Sequence, residues 1–415
     1  MGMNETPASE RVHIGFFGKR NAGKSSVINA VTGQDLAVVS QVKGTTTDPV
    51  YKSMELLPLG PVVMIDTPGI DDQGELGDLR VKRSYQVLNK TDAAVLVLDG
   101  TLGMSAEDRE LLRRIEKKEI PWIVVLNKRD SLSKDQVCQQ ENRLPQGWQE
   151  GKEYLWLSAR DRLGVEALKE RLARIARKEE SSRRIIGDLL NPGDLALLVV
   201  PIDKAAPKGR LILPQQQTIR DILEADAGAL VVRENLLKET LGRLGEKPRL
   251  VITDSQVFEK ADKDTPADIP LTSFSILFAR YKGNLKTLVK GAEALDGLKD
   301  GDKVLISEGC THHRQCGDIG TVKLPAWIRK YTGKKLEFYF TSGGEFPQSL
   351  EEYSLVVHCG GCMLNEREMK YRLGCGEDQQ VPITNYGLLI AYMKGILERS
   401  LEFFKKKTDG ECRQK

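Results

Sequence analysis

The stretch GKRNAGKS, residues 18–25, decides the fold of the first part of this chain. It fits the pattern G-x-x-x-x-G-K-S. It follows an apolar run at 12–17, typical of a buried strand, and opens an amphipathic stretch at 24–31, typical of a helix. A strand, a glycine-containing loop and a helix in this order form the context in which the pattern binds phosphate groups. The stretch therefore predicts a nucleoside triphosphate site on an α/β fold.

The residue types in this loop explain how it would bind phosphate. Gly18 and Gly23 let the backbone fold tightly, so that successive N–H groups and the start of the helix surround the anion. Lys24 reaches the β- and γ-phosphates, and Ser25 offers its hydroxyl to Mg²⁺. We expect the loop to contact the nucleotide through Gly18, Asn21, Ala22, Gly23, Lys24, Ser25 and Ser26.

Outward from the loop, short apolar runs alternate with amphipathic stretches. The apolar runs at 62–65, 93–98 and 121–126 are typical of buried strands, and the stretches at 77–88, 106–117 and 165–178 are typical of helices. Alternating strands and helices form a parallel sheet with helices on both faces. We therefore expect a doubly covered parallel sheet in this part of the chain.

Two further elements point to Mg²⁺ and to hydrolysis. In DTPG, residues 66–69, Asp66 would hold Mg²⁺ through water and the N–H of Gly69 would contact the γ-phosphate. The stretch at 44–48 carries three threonines, and Thr46 is our first choice to complete the Mg²⁺ coordination beside Ser25. The residues expected to take part in hydrolysis are Lys24, Ser25, Thr46, Asp66 and Gly69.

The base is predicted from NKRD, residues 127–130, which again follows a strand. The carboxylate of Asp130 can accept hydrogen bonds from N1–H and the exocyclic amine of guanine, whereas adenine presents the opposite pattern at N1. Asn127 and Lys128 belong to the same element. Ser158 and Ala159 follow a further strand-like run, and their backbone can meet the guanine O6. The nucleotide is therefore predicted to be GTP.

These five elements resemble the translation-factor-like GTPases, in particular the TrmE–Era–Der branch, over roughly residues 10–178. Ile70 stands where Ras-type proteins carry a water-orienting Gln, so we expect slow hydrolysis. Asn21 matches the loop Asn that helps bind K⁺ in potassium-activated relatives. K⁺ is therefore expected to stimulate hydrolysis; the alternative is that Asn21 occupies a variable loop position.

The length and net charge of the whole chain limit its number of domains and its partners. With 415 residues, roughly two to three domains are expected. Lys and Arg number 62 and Asp and Glu 59, and the resulting charge of +3 gives no case for a nucleic-acid or membrane partner. No apolar run approaches the ~18 residues of a membrane span, and residues 1–11 lack the apolar core of a signal peptide. We expect a cytoplasmic protein.

Two more α/β patterns follow the first, which predicts an α/β protein of three domains. Strand-like runs at 195–200 and 250–253, with helical stretches at 217–225 and 234–244, contain neither Cys nor His and are typical of a spacer or assembly domain. In the third pattern, 304–306 and 355–357 are strand-like, whereas 326–332 and 386–404 are predicted helices. Charged or polar segments at 179–184 and 260–270 place the expected domains at 1–180, 181–268 and 269–415.

Cysteine and histidine are concentrated in the third pattern. Four of the seven Cys and three of the four His fall between residues 310 and 362, and such clusters in a cytosolic protein indicate metal or redox sites. One group is Cys310-x-His312, and the other is His358-Cys359-x-x-Cys362. Both follow predicted strands, at whose carboxyl ends open α/β sheets form ligand crevices.

The residues alone leave three interpretations of this cluster open. Three or four Cys and His side chains suffice for a zinc site. A C-x-x-C pair can be a redox motif. An iron–sulfur cubane usually takes four Cys, so three thiolates would leave one place for His, water or an exchangeable ligand. The other cysteines, Cys138, Cys316, Cys375 and Cys412, are expected to be structural or incidental, as are His13, a core residue, and His313.

The two Cys and His groups behind a GTPase domain resemble one family, the FeFe-hydrogenase maturation GTPases known as HydF. The family pattern is C-x-H, a gap of several tens of residues and H-C-x-x-C. Here 45 residues, 313–357, lie between the groups. The resemblance spans nearly the whole chain.

The resemblance implies GTPase, dimerisation and cluster-binding domains. It implies a 4Fe–4S cluster on Cys310, Cys359 and Cys362, with His312 and His358 either as a fourth ligand or as residues that orient the site. It also implies a scaffold, dimeric or larger, that receives a diiron precursor of the hydrogenase H-cluster and delivers it to apo-FeFe-hydrogenase, with radical-SAM maturases upstream. The alternative is a tRNA-modification or ribosome-assembly GTPase with a structural zinc module.

Overall fold

The computed structural model describes residues 6–33, 49–70, 75–176, 184–202, 211–310 and 318–411; side chains are described outside 75–80, 82 and 405–411. The chain forms two compact units, Met1–Glu180 and Ser181–Lys415. Among the described helices, none combines the length and the apolar character needed to cross a membrane.

The first unit is a six-stranded sheet in the order β2-β3-β1-β4-β5-β6, with β2 antiparallel to β3 and the other pairs parallel. Its strands are β1 (Val12–Phe17), β2 (Val50–Leu56), β3 (Gly60–Asp66), β4 (Ala93–Asp99), β5 (Trp122–Asn127) and β6 (Tyr154–Trp156). Its helices are α1 (Lys24–Thr32), α2 (Glu75–Leu88), α3 (Ala106–Lys117), α4 (Lys134–Glu141) and α5 (Val165–Ile175). The doubly covered α/β sheet is confirmed.

Continuous apolar strands explain this architecture, because both faces of the central strands are buried. One core on one face of the sheet joins Val27 of α1 and Leu168 of α5 to Val125. A second core joins Leu111 and other α3 residues to the opposite set of strand side chains. The parallel strands bring the loops at their carboxyl ends to one edge of the sheet, where the predicted nucleotide motifs lie.

The second unit contains two four-stranded sheets, each parallel throughout, in the orders β10-β9-β7-β8 and β12-β11-β13-β14. The strands are β7 (Leu195–Val199), β8 (Gly228–Val232), β9 (Leu250–Thr253), β10 (Leu271–Ser273), β11 (Lys303–Glu308), β12 (Glu337–Ser342), β13 (Leu355–His358) and β14 (Ile383–Asn385). The helices are α6 (Leu213–Leu223), α7 (Leu237–Arg243), α8 (Phe258–Asp264), α9 (Phe274–Lys282), α10 (Leu285–Glu293), α11 (Leu324–Thr332), α12 (Glu366–Asp378), α13 (Tyr386–Met393) and α14 (Leu397–Glu411).

The predicted boundary at 268 lies too early. Strand β10 pairs in parallel with β9, with Leu271 opposite Val251, so the second sheet extends through Ser273. A shared apolar core also includes Val251 of the second sheet and Val304 of the third. The polar connector at 260–270 therefore lies within the fold of the second domain and does not end it.

The single helix predicted at 386–404 is also wrong. The structure has two helices, α13 and α14, separated at Gly395, which has a φ of +71°. This left-handed conformation is favourable for glycine and ends a helix. The backbone N–H of Gly395 donates to the carbonyl of Tyr392 at 3.0 Å, which closes the turn between the helices.

Candidate functional site

The phosphate loop between β1 and α1 requires its two glycines. Gly18 has a φ of +142°, and a Cβ there would lie 2.1 Å from the carbonyl oxygen of Val97. Gly23 has a φ of +92°, and a Cβ there would lie 2.2 Å from Nδ2 of Asn127. Both distances are shorter than any van der Waals contact, so a side chain at either position would displace the loop.

Lys24 at the start of α1 is buried and lies across this loop. Its Nζ donates to the carbonyl oxygens of Gly18 at 2.9 Å and Lys19 at 2.8 Å. The ammonium is thereby placed at the loop whose N–H groups are expected to surround the phosphates. The remaining loop residues predicted to contact the nucleotide, Asn21, Ala22 and Ser26, lie in the same strand–loop–helix element.

The residues predicted to hold Mg²⁺ converge beside Lys24. The hydroxyl of Ser25 donates to Oδ2 of Asp66 at 2.6 Å. Within the described part of the chain, the other oxygen, Oδ1, is buried and accepts no hydrogen bond. Burial raises the pKa of Asp66, while the Ser25 hydrogen bond and the Lys24 charge oppose that rise. A buried oxygen with spare acceptor capacity fits a divalent cation or its water, which would also favour the carboxylate.

The D-x-x-G element is anchored at its beginning. The hydroxyl of Thr67 donates to the carbonyl of Phe16 at 2.6 Å, and that of Ser84 donates to the carbonyl of Pro68 at 3.1 Å. Gly69 follows this anchored segment at the end of β3, as predicted from sequence. Thr46 and the whole stretch at 44–48 lie outside the described residues.

The residues predicted to recognise guanine form one connected group. The Asn127 side chain donates to the carbonyl of Ala22 and accepts from the backbone N–H of Ala159, both at 3.1 Å. It therefore joins the phosphate loop to the Ser158–Ala159 segment. The hydroxyl of Ser158 donates to Oδ1 of Asp130 at 2.8 Å, and this hydrogen bond lowers the pKa of that carboxylate.

Lys128 has a partner that sequence reasoning missed. Its Nζ lies 2.6 Å from Oδ2 of Asp99, the last residue of β4. The only signal in the sequence is that Asp99 directly follows a buried apolar run, at the same sheet edge as the other nucleotide motifs. Asp99 thus fixes a side chain of the predicted base site.

The third sheet brings the two cysteine groups to neighbouring strand ends. Strands β11 and β13 are paired in parallel, with Ser307 opposite His358. The backbone N–H groups of Gly309 and Gly361 point to Sγ of Cys359 at 3.1 and 3.4 Å. Two N–H groups directed at one sulfur favour its thiolate form, the form in which cysteine binds metal.

Burial opposes ionisation of the thiols of Cys359 and Cys362. It raises the pKa of Cys359 against the effect of the two N–H groups, and it raises the pKa of Cys362, together with the nearby Cys359, to about 11. A metal ion or cluster would supply the positive charge that both thiolates need. The donor set around Cys359 and Cys362 therefore fits a metal site.

His358 is fully buried and both of its ring nitrogens are engaged. Nδ1 lies 2.8 Å from the carbonyl oxygen of Cys359, and Nε2 lies 3.0 Å from Nη1 of Arg372. Because a carbonyl only accepts and a guanidinium only donates, the ring is neutral with its proton on Nδ1. Burial, followed by the Arg372 charge, lowers the pKa of His358 to about 3. The Nδ1–H of His358 thus holds the backbone of Cys359.

Arg372 on α12 is a second residue that sequence reasoning missed. It is fully buried, and its Nη2 donates to the Glu368 carboxylate at 2.6 Å and to the carbonyl of Gly343 at 2.7 Å. Its Nη1 also lies 3.4 Å from the hydroxyl of Ser307. Arg372 thus links the end of β11 to His358 on β13.

Of the other two predicted ligands, the structure describes Cys310 but not His312. Cys310 follows Gly309 at the end of β11 and is half-buried, whereas His312 lies outside the described residues, as do His313, Cys316 and Cys412. In the part of the chain that the structure describes, no three Cys, His, Asp or Glu side chains are close enough to hold one metal ion.

Comparisons with known proteins match three segments of the chain. Residues 13–128 match a model described as 50S ribosome-binding GTPase. Residues 185–283 match the hydrogen maturase F dimerization domain, and residues 286–403 match the hydrogen maturase F tetramerization domain. The last two together span just over half of the chain. The chain belongs to the hydrogen maturase F (HydF) family. The HydF dimerization domain includes β10 and α9, which agrees with the extent of the second sheet.

Relatives outside HydF resemble the GTPase part. GTPase Der of Wolinella succinogenes is 35% identical over 188 residues, which is 44% of this chain and 39% of that protein. The tRNA modification GTPase MnmE of Chromobacterium violaceum is 34% identical over 164 residues, 39% of this chain and 34% of that protein. The chain thus spans well under half of either relative. The solved structure of Era from Aquifex aeolicus bound to GDP and AlF₄⁻ is 20% identical, with a TM-score of 0.37, over 56% of this chain and 98% of that one.

Proposed function

We propose that this chain is a GTP-hydrolysing scaffold of hydrogenase maturation. Its first domain binds GTP and Mg²⁺, and its last domain holds a 4Fe–4S cluster through Cys310, Cys359 and Cys362. The scaffold receives a diiron precursor of the H-cluster from radical-SAM maturases and transfers it to apo-FeFe-hydrogenase. The HydF domains also support a homodimer or a higher oligomer as the working form.

One observation carries the cluster assignment. The sulfur of Cys359 accepts two backbone N–H groups at the junction of β11 and β13, within a HydF domain. A bound cluster would supply an iron site with an exchangeable ligand for cargo. The alternative of a tRNA-modification or ribosome-assembly GTPase rests on relatives that match less than half of this chain, whereas the second unit matches HydF domains.

Cargo transfer can be measured directly. The protein is purified anaerobically, incubated with radical-SAM maturases and their substrates, separated from them and mixed with apo-FeFe-hydrogenase. We expect hydrogen evolution to appear only with the preincubated protein. The matched control is the same protein carried through identical steps without the maturases. Equal hydrogen evolution from both samples, or none from either, would contradict a carrier role.

The predicted potassium effect depends on Asn21 in the phosphate loop. Asn21 has a φ of +61°, so Asn21→Gly removes its amide while keeping a backbone conformation that glycine tolerates. We expect GTP hydrolysis to be about tenfold faster in KCl than in NaCl, equivalent to about 1.4 kcal/mol of barrier. The Asn21→Gly variant should show nearly the same slow rate in both salts. Steady-state phosphate release at equal ionic strength measures this, and equal wild-type rates would refute it.

A further inference from the structure

The loop that carries Cys359 and Cys362 is held through the carbonyl groups of both cysteines. The carbonyl of Cys359 accepts the Nδ1–H of His358 at 2.8 Å. The carbonyl of Cys362 lies 3.3 Å from Nζ of Lys282, and the same ammonium donates to the carbonyl of Leu364 at 2.9 Å. Two buried side chains therefore fix the two ends of the C-x-x-C loop.

Lys282 reaches this loop from the preceding domain. It is the last residue of α9, within the segment that matches the dimerization domain, and only 2% of it is exposed. Its Nζ lies 5.6 Å from the ring centre of Phe278 and 6.0 Å from that of Tyr281. Burying an ammonium is costly unless it is well hydrogen-bonded, so the two carbonyl contacts stabilise both the lysine and the loop.

Lys282 also places a positive charge beside the Cys362 loop. A cluster on three thiolates is anionic, and one-electron reduction adds a further negative charge. A cation buried beside the Cys362 loop interacts with that charge in a region where solvent screens poorly. It therefore stabilises the reduced cluster more than the oxidised one.

We propose that Lys282 is a positioning residue for the cluster, which sets the Cys362 loop from helix α9 and raises the reduction potential of the bound cluster. The effect on the reduction potential rests on the proposed function. The fixing of the Cys362 loop concerns the protein without metal and does not.

Four variants separate the two effects. Lys282→Met removes both charge and hydrogen bonds, Lys282→Gln keeps a donor without charge, and Lys282→Arg keeps both. The matched control is Lys303→Met, which removes a half-buried lysine, paired with Glu352 at 2.9 Å, from the end of β11 that lies away from Cys310. If Lys282→Met fails to fold by circular dichroism, Lys282→Gln replaces it in both measurements, because its shorter side chain cannot keep both hydrogen bonds that Lys282 makes.

The first measurement is amide hydrogen exchange of the metal-free protein. We expect peptides covering 359–365 to exchange about tenfold faster in Lys282→Met than in the wild type, as loss of two hydrogen bonds implies. Lys282→Arg and Lys303→Met should exchange at the wild-type rate. Unchanged exchange in Lys282→Met would overturn the positioning role.

The second measurement is a redox titration of the reconstituted protein, followed by EPR. We expect a more negative midpoint potential in Lys282→Met and Lys282→Gln, recovery in Lys282→Arg, and no change in Lys303→Met. An unaltered potential in both neutral variants would overturn the charge role. If the wild type takes up no iron, the proposed function and the charge role fail together, while the exchange measurement still decides the positioning role.

Discussion

Replacing Cys359 with serine is expected to reduce iron incorporation at least about fivefold, because a serine hydroxyl is a far weaker iron ligand than a thiolate. The N–H groups of Gly309 and Gly361 are directed at this sulfur, which positions Cys359 as a ligand. Iron and acid-labile sulfide per chain are measured after anaerobic reconstitution, together with the visible absorption of the cluster.

The matched control for this change is Cys375→Ser. Cys375 lies on α12, packs beside the apolar core and belongs to neither cysteine motif. We expect this variant to take up as much iron as the wild type. GTP hydrolysis should be unaffected in both variants, since the nucleotide site is in the other unit. Full iron content in Cys359→Ser would remove the main support for the cluster assignment.

Replacing Asp130 with asparagine is expected to weaken GTP binding at least about 100-fold. The low pKa of Asp130 keeps this carboxylate ionised through neutral pH, where it can accept from two donors of guanine. Each hydrogen bond to a charged group contributes about 1.5–3 kcal/mol. Asparagine lacks the charge and faces the guanine amine with an NH₂ group, so we expect a total loss of about 3 kcal/mol or more. Xanthosine triphosphate, which carries a carbonyl in place of the guanine amine, should in turn bind the variant better than GTP does.

Equilibrium binding of fluorescent GTP and competition by xanthosine triphosphate measure this change of specificity. Asp161→Asn is the control, because Asp161 also contacts the hydroxyl of Ser158, at 3.3 Å, but is not expected to meet the base. It should bind GTP nearly as well as the wild type. An Asp130→Asn protein with unchanged GTP affinity would show that the base is recognised elsewhere.

Several long apolar strands could be predicted from sequence, whereas two exposed edge strands could not. Strand β1 begins and ends where its apolar run does, at Val12 and Phe17. By contrast, β2 and β12 were not predicted, because each lies at a sheet edge and leaves much of its side-chain surface exposed. The hydrophobic periodicity on which the prediction depends is weak in such strands.

Within the candidate site, residues in local motifs could be predicted, whereas their distant partners could not. The stretch at 127–130 predicted a base site, and Asn127 indeed connects it to the phosphate loop. The sequence alone leaves the role of His358 open between ligand and orienting residue, since Arg372, its partner, belongs to no motif. Lys282 lies 80 positions before Cys362, and only the packing of α9 against the loop brings them together.

The proposed function depends on an iron–sulfur cluster in the last domain, behind a GTPase domain. The most direct test is metal analysis and EPR of the protein purified without exposure to oxygen. We expect a coloured protein with about four irons per chain and an EPR signal of a reduced cubane after addition of dithionite. A colourless protein that contains zinc and no iron would contradict it.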